Sequence, residues 1–330
     1  MLNLTKSRLA DILSGFPSLH MGVIGDLALD AYWHADMTRA LLSRETPHFP
    51  RPVVREAYSC GAGANVADNL NALGVGHVSV FSVLGDDWRG ALLQHVMAEK
   101  GIDGSQLRIT TQRCTPAYIK PVLMGFESQQ EDARIDFENS AALPEQHENA
   151  LLDVIKQQMP ALDALLIADQ LENYGIVTDH VRGGLNAMAA LYPHKIFAVD
   201  SRLHIGAYNH MVLKPNKLEA INAVDGIDPN TTSYDVLVKT VETLSQRTDR
   251  PVFRTLGDQG VLVYADGYAH LLPAGPTHPP LDPVGAGDTF IATLTCALAV
   301  GASAWEAGMI ANLASAVTVE KLNQTGTASP

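Results

Sequence analysis

Short β-branched runs alternate with segments of helical periodicity along most of this 330-residue chain. Short apolar runs predict strands, and apolar positions recurring every three or four residues predict helices. The predicted strands are Met21–Gly25, Val78–Val83, Ala164–Ala168, Ile196–Asp200, Met211–Lys214, Val252–Thr255 and Gly260–Tyr264. The predicted helices are Ala64–Leu73, Asp87–Lys100, Glu145–Gln158, Val177–Leu191, Lys217–Ala223, Ser233–Gln246, Gly287–Val300 and Trp305–Leu322. This alternation predicts an α/β fold in which helices cover both faces of a mostly parallel sheet.

Two stretches interrupt the alternation. Ala35–Tyr58 is rich in Arg, Pro and His and contains a strand-like Pro52–Arg55. Thr110–Phe137 contains two strand-like runs, Ala117–Met124 and Ala133–Phe137, with no helix between them. We expect these segments, about 35–58 and 110–137, to form a small β-sheet that faces a cleft as a lid. A pair of ordinary edge hairpins is the alternative.

Polar residues follow several of the predicted strands. They are Asp26, Asp169, Asp200 and Asn216. Because ligands of open α/β sheets bind outside the carboxyl ends of the strands, we expect a ligand cleft at this edge.

The composition narrows the class of protein. Apolar residues make up 46% of a chain that no linker or repeat divides, which predicts one domain over residues 1–330. The formal net charge of −13 disfavours nucleic acid and anionic membranes as partners. Cys60, Cys114 and Cys296 are widely spaced, as is typical of reduced thiols in a cytoplasmic protein. The N-terminus lacks the apolar core of a signal peptide, and the apolar run Phe290–Ala304 is too short to span a bilayer.

The run Leu281–Phe290 carries the strongest chemical signal. Gly285, Ala286 and Gly287 precede an apolar segment of helical length, so their backbone N–H groups can converge on an anion at the helix N-terminus. Asp288 would lie beside that anion, where a carboxylate is electrostatically costly. Removal of a proton from a hydroxyl that attacks phosphate would explain its presence. On the local pattern alone, an ordinary helix cap is an equal alternative for Asp288.

Small residues also open a second predicted helix. In the run Cys60–Leu70, the stretch Gly61–Gly63 allows a ligand to approach the backbone closely, and Asn65 can present an amide to hydroxyl groups. Close helix packing is the alternative. The sequence contains neither a G-x-G-x-x-G dinucleotide fingerprint nor a G-x-x-x-x-G-K-[ST] P-loop, which disfavours a NAD-linked dehydrogenase.

Four motifs, in this order, resemble those of the PfkB, or ribokinase-like, carbohydrate kinases over nearly the whole chain. They are Gly61–Asn65 after Gly25-Asp26, the N-x-x-E motif Asn216–Glu219, the T-L-G-x-x-G loop Thr255–Gly260, and the C-terminal signature Asp282–Phe290. The resemblance implies a ribokinase-like three-layer sandwich with a mostly parallel central sheet and a small β-sheet lid. It also implies ATP and Mg²⁺ as cofactors and phosphorylation of a sugar hydroxyl.

The resemblance further implies a role for each motif residue. Asp288 would be the general base that takes the proton of the attacking hydroxyl, and the amides of Gly285, Ala286 and Gly287 would form the anion hole. The other implied roles are Asn216 and Glu219 for Mg²⁺, Thr255, Gly257 and Gly260 for the nucleotide, Asn312 near the adenine, and Asp26, Gly61 and Asn65 for the sugar.

Several of these motifs have a structural alternative. Asn216 and Glu219 could be a cap pair at a helix start. Thr255–Gly260 could be only a β-turn, and Asp26 could be a solvated strand end.

Within the family, the chain is most similar to the heptose-phosphate kinase branch, the kinase part of a bifunctional heptose kinase/adenylyltransferase. The similarity lies in Gly25–Trp33, in the R-x-D-x-E pattern of Gln130–Glu138, and in the tail Lys321–Ser329. Because the sequence ends at Pro330, we expect no fused nucleotidyltransferase domain.

A phosphorylated sugar would need cations near the lid. Lys120 and Arg134 are the candidates, with solvated surface charge as the alternative. The resemblance also makes Asp30 and Glu138 substrate-binding candidates. A lid sheet leaves an apolar face to cover, so we expect a homodimer through Pro50–Tyr58 and Tyr118–Leu123.

Three departures from the family pattern leave the substrate open. Ala62 replaces the second glycine of a G-G pair, and Asp169–Gly175 is longer than the D-Y-x-K-G turn of the heptose branch. Pro283-Val284 precedes the anion hole in place of the usual pair, which leaves a monovalent-cation requirement undecided. Another sugar kinase of the fructokinase or ribokinase type, or a catalytically silent sugar- or nucleotide-binding regulator, are the alternatives.

Overall fold

The computed structural model describes residues 4–225, 227, 233–321 and 326–329, in which fifteen strands and nine α-helices are present. The strands are β1 (His20–Gly25), β2 (Leu27–Asp36), β3 (Val53–Ala62), β4 (His77–Phe81), β5 (Val83–Gly85), β6 (Arg108–Thr110), β7 (Ala117–Met124), β8 (Gln129–Glu131), β9 (Ile135–Phe137), β10 (Ala164–Asp169), β11 (Ile196–Ser201), β12 (Val212–Leu213), β13 (Val252–Thr255), β14 (Val261–Ala265) and β15 (Tyr268–Leu272). The helices are α1 (Lys6–Ser14), α2 (Gly63–Ala72), α3 (Trp88–Glu99), α4 (Glu145–Gln158), α5 (Asp179–Leu191), α6 (Lys217–Asn222), α7 (Tyr234–Thr248), α8 (Ala286–Ala299) and α9 (Ala304–Val319).

An eight-stranded sheet forms the body, in the order β15-β14-β13-β12-β11-β10-β1-β4. The six strands from β13 to β4 are parallel, and β14 and β15 add an antiparallel edge. One apolar core joins the sheet to helices that include α2, α8 and α9. A second core, on the other face, joins it to α4, α5 and α7. The α/β prediction is therefore confirmed, with helical layers on both faces of a mostly parallel sheet.

The parallel strands bring the predicted polar residues to one edge. β1, β10, β11 and β12 run in the same direction and pair along this part of the sheet. Asp26, Asp200 and Asn216 lie at or just beyond their carboxyl ends, as expected. Helix α8 begins at Ala286 and packs against β10 and β11.

A second, five-stranded sheet is built from β3, β2, β7 and β8, with β9 also paired to β7. It begins at Leu27, nearer the N-terminus than the predicted segment at Ala35. The pattern concealed β2 because only Asp26 separates it from β1, so the two strands appear as one apolar run. β2 pairs with β7 in parallel, which two edge hairpins could not produce.

Other differences from the predicted elements are local. The run Val78–Val83 is divided between β4 and β5, and β15 (Tyr268–Leu272) was not predicted, because its exposed residues interrupt the apolar pattern. Helix α9 ends at Val319. Its predicted end, Leu322, lies outside the described residues, as do residues 323–325 of the tail. Among the described helices, none has both the length and the apolar character that a bilayer crossing requires.

Candidate active site

A cleft of about 450 Å³ lies where the carboxyl ends of the parallel strands meet the start of α8 and the small sheet. The small sheet and α2 contribute Asp30, Gly61, Ala62, Asn65, Tyr118 and Lys120, with Arg134 from the loop before β9. The strand ends and α8 contribute Gln170, Asp200, Arg202, Lys214, Asn216, Glu219, Thr255, Val284, Gly285, Gly287 and Asp288. Motifs far apart in the sequence therefore share one cleft.

Asp288 lines this cleft from the first turn of α8. Its Oδ2 accepts a hydrogen bond from Asn65 Nδ2 at 2.5 Å, and its Oδ1 accepts one from Gln170 Nε2 at 3.2 Å. Burial raises the pKa of Asp288, while the Asn65 hydrogen bond opposes this rise. The N-cap is Gly285, with a left-handed φ of 82° and no capping side chain. Asp288 thus directs its carboxylate at groups across the cleft, which favours a role toward a ligand over that of a helix cap.

Lys214, which was not predicted as a site residue, places a buried ammonium in the same cleft. Its Nζ lies 3.1 Å from Asp200 Oδ1, and both side chains are largely buried. Burial alone would lower the pKa of Lys214, but Asp200 and Glu219 raise it overall. A Cβ added at Gly287 would lie 3.6 Å from Nζ, so the ammonium is next to the start of α8. An anion bound there would meet both a helix N-terminus and a fixed positive charge.

The three predicted anion-hole residues take different positions. Gly285 and Gly287 line the cleft. The amide of Ala286 donates to Pro283 O at 3.2 Å, and Ala286 lines a neighbouring cavity instead. The two glycines are therefore the part of the predicted anion hole that faces the cleft.

Asn216 and Glu219 form a capping box at the start of α6. Asn216 Oδ1 accepts the Glu219 N–H at 3.0 Å, and Glu219 Oε2 accepts the Asn216 N–H at 2.7 Å. The cap pair considered from the sequence is thus present, and both residues also line the cleft. Burial raises the pKa of Glu219 to about 7, against the lowering effect of Lys214.

The donor set of these two residues fits Mg²⁺. Asn216 and Glu219 offer oxygen atoms, and a nearby divalent cation would favour the ionised form of the buried Glu219 carboxylate. Within the described ranges, no group of three or more His, Cys, Asp or Glu side chains could hold a metal by itself. Mg²⁺ usually keeps waters and binds substrate phosphates, so one carboxylate and one amide suffice on the protein side.

Two further cavities continue the cleft past Thr255. A groove of about 830 Å³ shares Asn216 and Thr255 with the cleft, and an apolar cavity of about 400 Å³ shares Gly257 with the groove. Asn312 lines the apolar cavity, where its Nδ2 donates to Pro273 O at 3.0 Å. Gly260, a predicted nucleotide-binding residue, is required by the backbone at this turn. Its φ is 96°, and a Cβ at this position would lie 2.1 Å from Leu272 O. The path has an apolar end and a charged end, as an elongated nucleotide requires.

The small sheet supplies the opposite wall. Lys120 Nζ is 3.1 Å from Tyr32 OH, and the guanidinium of Arg134 lies over the Tyr118 ring and forms two 2.6 Å hydrogen bonds with Asp136. A side cavity of about 220 Å³ opens between Tyr118, Arg134, Gln170 and Arg202, with Glu138 in its wall. Predicted substrate residues Asp30, Gly61, Lys120 and Arg134 therefore line the cleft, and Glu138 lines only the side cavity.

Asp26 does not take the predicted position. Its carboxylate is buried, with Oδ1 accepting the Ile176 N–H at 2.7 Å and Oδ2 the Leu171 N–H at 3.0 Å. The loop after β10 thus covers Asp26, and a Cβ at Gly175 would lie 2.8 Å from Oδ2. In this structure the carboxylate fixes the 170–176 loop and is not a solvated strand end, and its role toward a sugar stays a prediction.

Replacement of Asp26 by Ala should destabilise the protein by about 3 kcal/mol, because two hydrogen bonds to a buried charged acceptor are lost. Thermal unfolding measures the loss, and hydrogen exchange at Leu171 and Ile176 should accelerate. An unchanged melting temperature together with a raised KM for the acceptor would instead return Asp26 to the sugar-binding role.

Several residues of the cleft were not predicted as site residues. Arg202 and Gln170 come directly after β11 and β10, positions that the strand-end rule marks in general. The predicted strand Met211–Lys214 includes Lys214 as its last residue. A lysine at the end of an apolar run indicates that the strand ends there, at the carboxyl edge of the sheet. Asp169, which the same rule marked, instead accepts hydrogen bonds from Ser201 and Tyr208 in a buried network.

Solved structures share this fold. Phosphofructokinase-2 from Escherichia coli superposes with a TM-score of 0.71 at 19% identity, covering 94% of this chain and 96% of that one. Ribokinase from Thermotoga maritima gives 0.67 at 20% identity, and ribokinase from Arabidopsis thaliana, complexed with ribose and ATP, gives 0.66 at 16%, both with the same coverage. The fold is therefore ribokinase-like, as the motifs predicted.

Curated proteins and a family profile extend the comparison to sequence. The Bifunctional protein HldE of Magnetococcus marinus is 33% identical over 326 residues, and that of Helicobacter pylori is 30% identical over 304 residues. These matches cover 94% and 91% of this chain but only 62% and 63% of the relatives, so the chain spans less than two thirds of their length. The profile of the pfkB family carbohydrate kinases matches residues 53–330. The chain belongs to the pfkB family of carbohydrate kinases.

Proposed function

We propose that this protein transfers the γ-phosphoryl group of ATP to a hydroxyl of a sugar or sugar phosphate. The observation that carries the proposal is the position of Asp288, which lines one cleft with the start of α8 and the Lys214 ammonium. A carboxylate that can accept a proton thus lies beside groups that stabilise a phosphoryl anion.

In the proposed reaction, Asp288 accepts the proton of the acceptor hydroxyl as its oxygen attacks the γ-phosphorus. A new P–O bond forms, the bond from the γ-phosphorus to the bridging oxygen breaks, and ADP leaves with the electron pair. Lys214 and the amides of Gly285 and Gly287 stabilise the negative charge on the transferring group. When Mg²⁺ is bound by Asn216, Glu219 and the phosphates, it supplies further charge neutralisation.

The shape of the connected cavities supports ATP as the donor. The apolar cavity beside Gly257 and Asn312 offers an adenine surface, and the groove past Thr255 leads from it toward the start of α8. A nucleotide placed along this path directs its phosphates at Asp288 and away from the small sheet. The acceptor then lies between Asp288 and the small sheet, which closes over it as a lid.

The cations of the small-sheet side support a phosphorylated acceptor, and a heptose phosphate is the first candidate. Lys120, Arg134 and Arg202 line the acceptor half of the cleft. The R-x-D-x-E pattern that ends at Glu138 resembles the heptose-phosphate branch, and the similarity to HldE proteins agrees with it.

We propose a homodimer through the small sheet, with Pro50–Tyr58 and Tyr118–Leu123 in the interface. Exposed apolar residues of this sheet support it, because Val53 and Val54 of the first segment are partly exposed and several loop residues are more than half exposed: Leu41, Leu42, Phe49 and Phe126. Light scattering at micromolar concentration should give twice the chain mass, and Phe126→Ser together with Phe49→Ser should shift it to the monomer. A wild-type monomer would contradict the dimer.

ADP release across a panel of acceptors tests the function. The panel contains a heptose phosphate, fructose, fructose 6-phosphate, ribose and glucose, each with ATP and Mg²⁺. We expect turnover to depend on the acceptor and to be greatest for a phosphorylated sugar. Tight binding of a sugar by calorimetry without turnover of any acceptor would instead support a silent regulator.

A further inference from the structure

Asp288 is held by two amide donors that come from different parts of the fold. Asn65, on α2, donates to Oδ2 at the shorter distance of 2.5 Å, while Gln170, directly after β10, donates to Oδ1 at 3.2 Å. The Asn65 side chain also has a buried neighbour, because Asn69 Nδ2 donates to Asn65 Oδ1 at 3.4 Å and to the Asn65 backbone O at 2.8 Å. The Gln170 contact is therefore the longer of the two, and it comes from a loop.

Gln170 also stands at the boundary between two spaces. It lines both the central cleft and the side cavity, together with Tyr118, Arg134 and Arg202. An acceptor bound in the central cleft with its hydroxyl at Oδ1 would therefore lie beside this side chain. The amide occupies the position at which the acceptor hydroxyl would donate its hydrogen bond.

We propose that Gln170 is a positioning residue that holds Oδ1 of Asp288 in the free enzyme and gives this oxygen up to the acceptor hydroxyl. The inference rests on the proposed function. The exchange keeps the carboxylate with a donor on each oxygen before and after the acceptor binds. Asn65 stays on Oδ2 throughout and fixes the plane of the carboxylate.

The charged groups around Asp288 set its pKa, which the loss of the Gln170 donor would change. Besides burial, Asp200 near the end of β11 raises the pKa of Asp288, and Lys214 after β12 lowers it, with Glu219 of α6 facing Lys214. Four more charged groups line the cleft: Asp30, Lys120, Arg134 and Arg202. An amide donor favours the ionised carboxylate, so removal of Gln170 should raise the pKa of Asp288 in the free enzyme.

The kinetic test uses Gln170→Met, which keeps the side-chain length without the donor, and Gln94→Met on α3 as a matched control. Gln94 donates to Gly90 O and lies outside the cleft. The acid limb of kcat/KM, which reports the free enzyme, should move up by about one pH unit in Gln170→Met. The acid limb of kcat, which reports the complex, should not move, because the acceptor hydroxyl has replaced the amide. The Gln94 variant should match the wild type in both.

Two kinetic outcomes overturn the proposal. If both limbs move equally, Gln170 remains on Asp288 during the reaction and no exchange occurs. If neither moves, Gln170 does not act on Asp288. A small general loss of kcat at every pH, without a shift, belongs to this second outcome.

A measurement that needs no acceptor and no turnover separates this inference from the proposed function. Melting temperatures of wild type, Gln170→Met, Asp288→Asn and the double variant are compared at one pH below and one pH above the acid limb of kcat/KM. The ionised Asp288 carboxylate costs stability above its raised pKa, so loss of the donor should lower the melting temperature more at the higher pH. The difference should vanish in the Asp288→Asn background. A loss that is equal at both pH values contradicts the inference even if no acceptor is ever turned over.

Discussion

Asp288→Asn is expected to lower kcat by about a thousandfold, the range in which removal of a general base falls. Asparagine keeps the size of the side chain and cannot take the proton of the acceptor hydroxyl. The KM for ATP should change little, because Asp288 faces the acceptor half of the cleft. ADP release with the best acceptor of the panel measures the loss.

The stability of Asp288→Asn provides its control. Burial raises the pKa of Asp288 above the ordinary value, so its ionised form costs stability at neutral pH, and this cost disappears as the pH falls through the raised pKa. The neutral asparagine does not pass through this change, so the variant should remain folded with a flatter dependence of stability on pH. A variant that keeps most of its kcat would show that Asp288 is not the base.

Lys214→Met should affect both stability and rate. It leaves Asp200 without its 3.1 Å partner inside the cleft, and breaking a buried ion pair costs about 3–5 kcal/mol. The loss of a fixed cation beside the transferring phosphoryl group should lower kcat by about a hundredfold or more. Because Lys214 also lowers the pKa of Glu219 and Asp288, the acid limb of the rate profile should move to higher pH.

The double variant Lys214→Met with Asp200→Asn distinguishes the two effects. Removing both charges relieves the unpaired carboxylate, so the free energy of unfolding measured with urea should return toward that of the wild type. The rate should stay low, because the cation is still missing. If the double variant regains the rate as well as the stability, Lys214 serves only the fold.

The local parts of this molecule were accessible from the sequence, and its long-range contacts were not. Helix α4 was predicted with its observed bounds, Glu145–Gln158. The contact between Asn65 and Asp288 joins residues 223 positions apart, so no local pattern shows it. The motif resemblance placed both in one site, and the structure adds which oxygen of Asp288 each amide donor holds.

Two predicted site residues make backbone contacts that the sequence did not show. Asp26 was expected to bind sugar, and its oxygens accept the amides of Leu171 and Ile176, so its role toward a sugar stays a prediction. Ala286 was expected in the anion hole, but its amide donates to Pro283 O. Lys214 was overlooked, because hydrophobic patterning assigns the end of an apolar run to the core and does not show which side chain emerges at the edge of the sheet.

The central claim is that a phosphoryl group passes from ATP to a sugar hydroxyl in this cleft. Phosphorus NMR of a mixture of the protein, ATP, Mg²⁺ and the best acceptor of the panel, for which a heptose phosphate is the first candidate, follows that transfer directly. The account predicts a new sugar-phosphate resonance that grows in step with ADP and is lost in Asp288→Asn. Growth of ADP with inorganic phosphate alone, or a new resonance of equal rate in the variant, would contradict it.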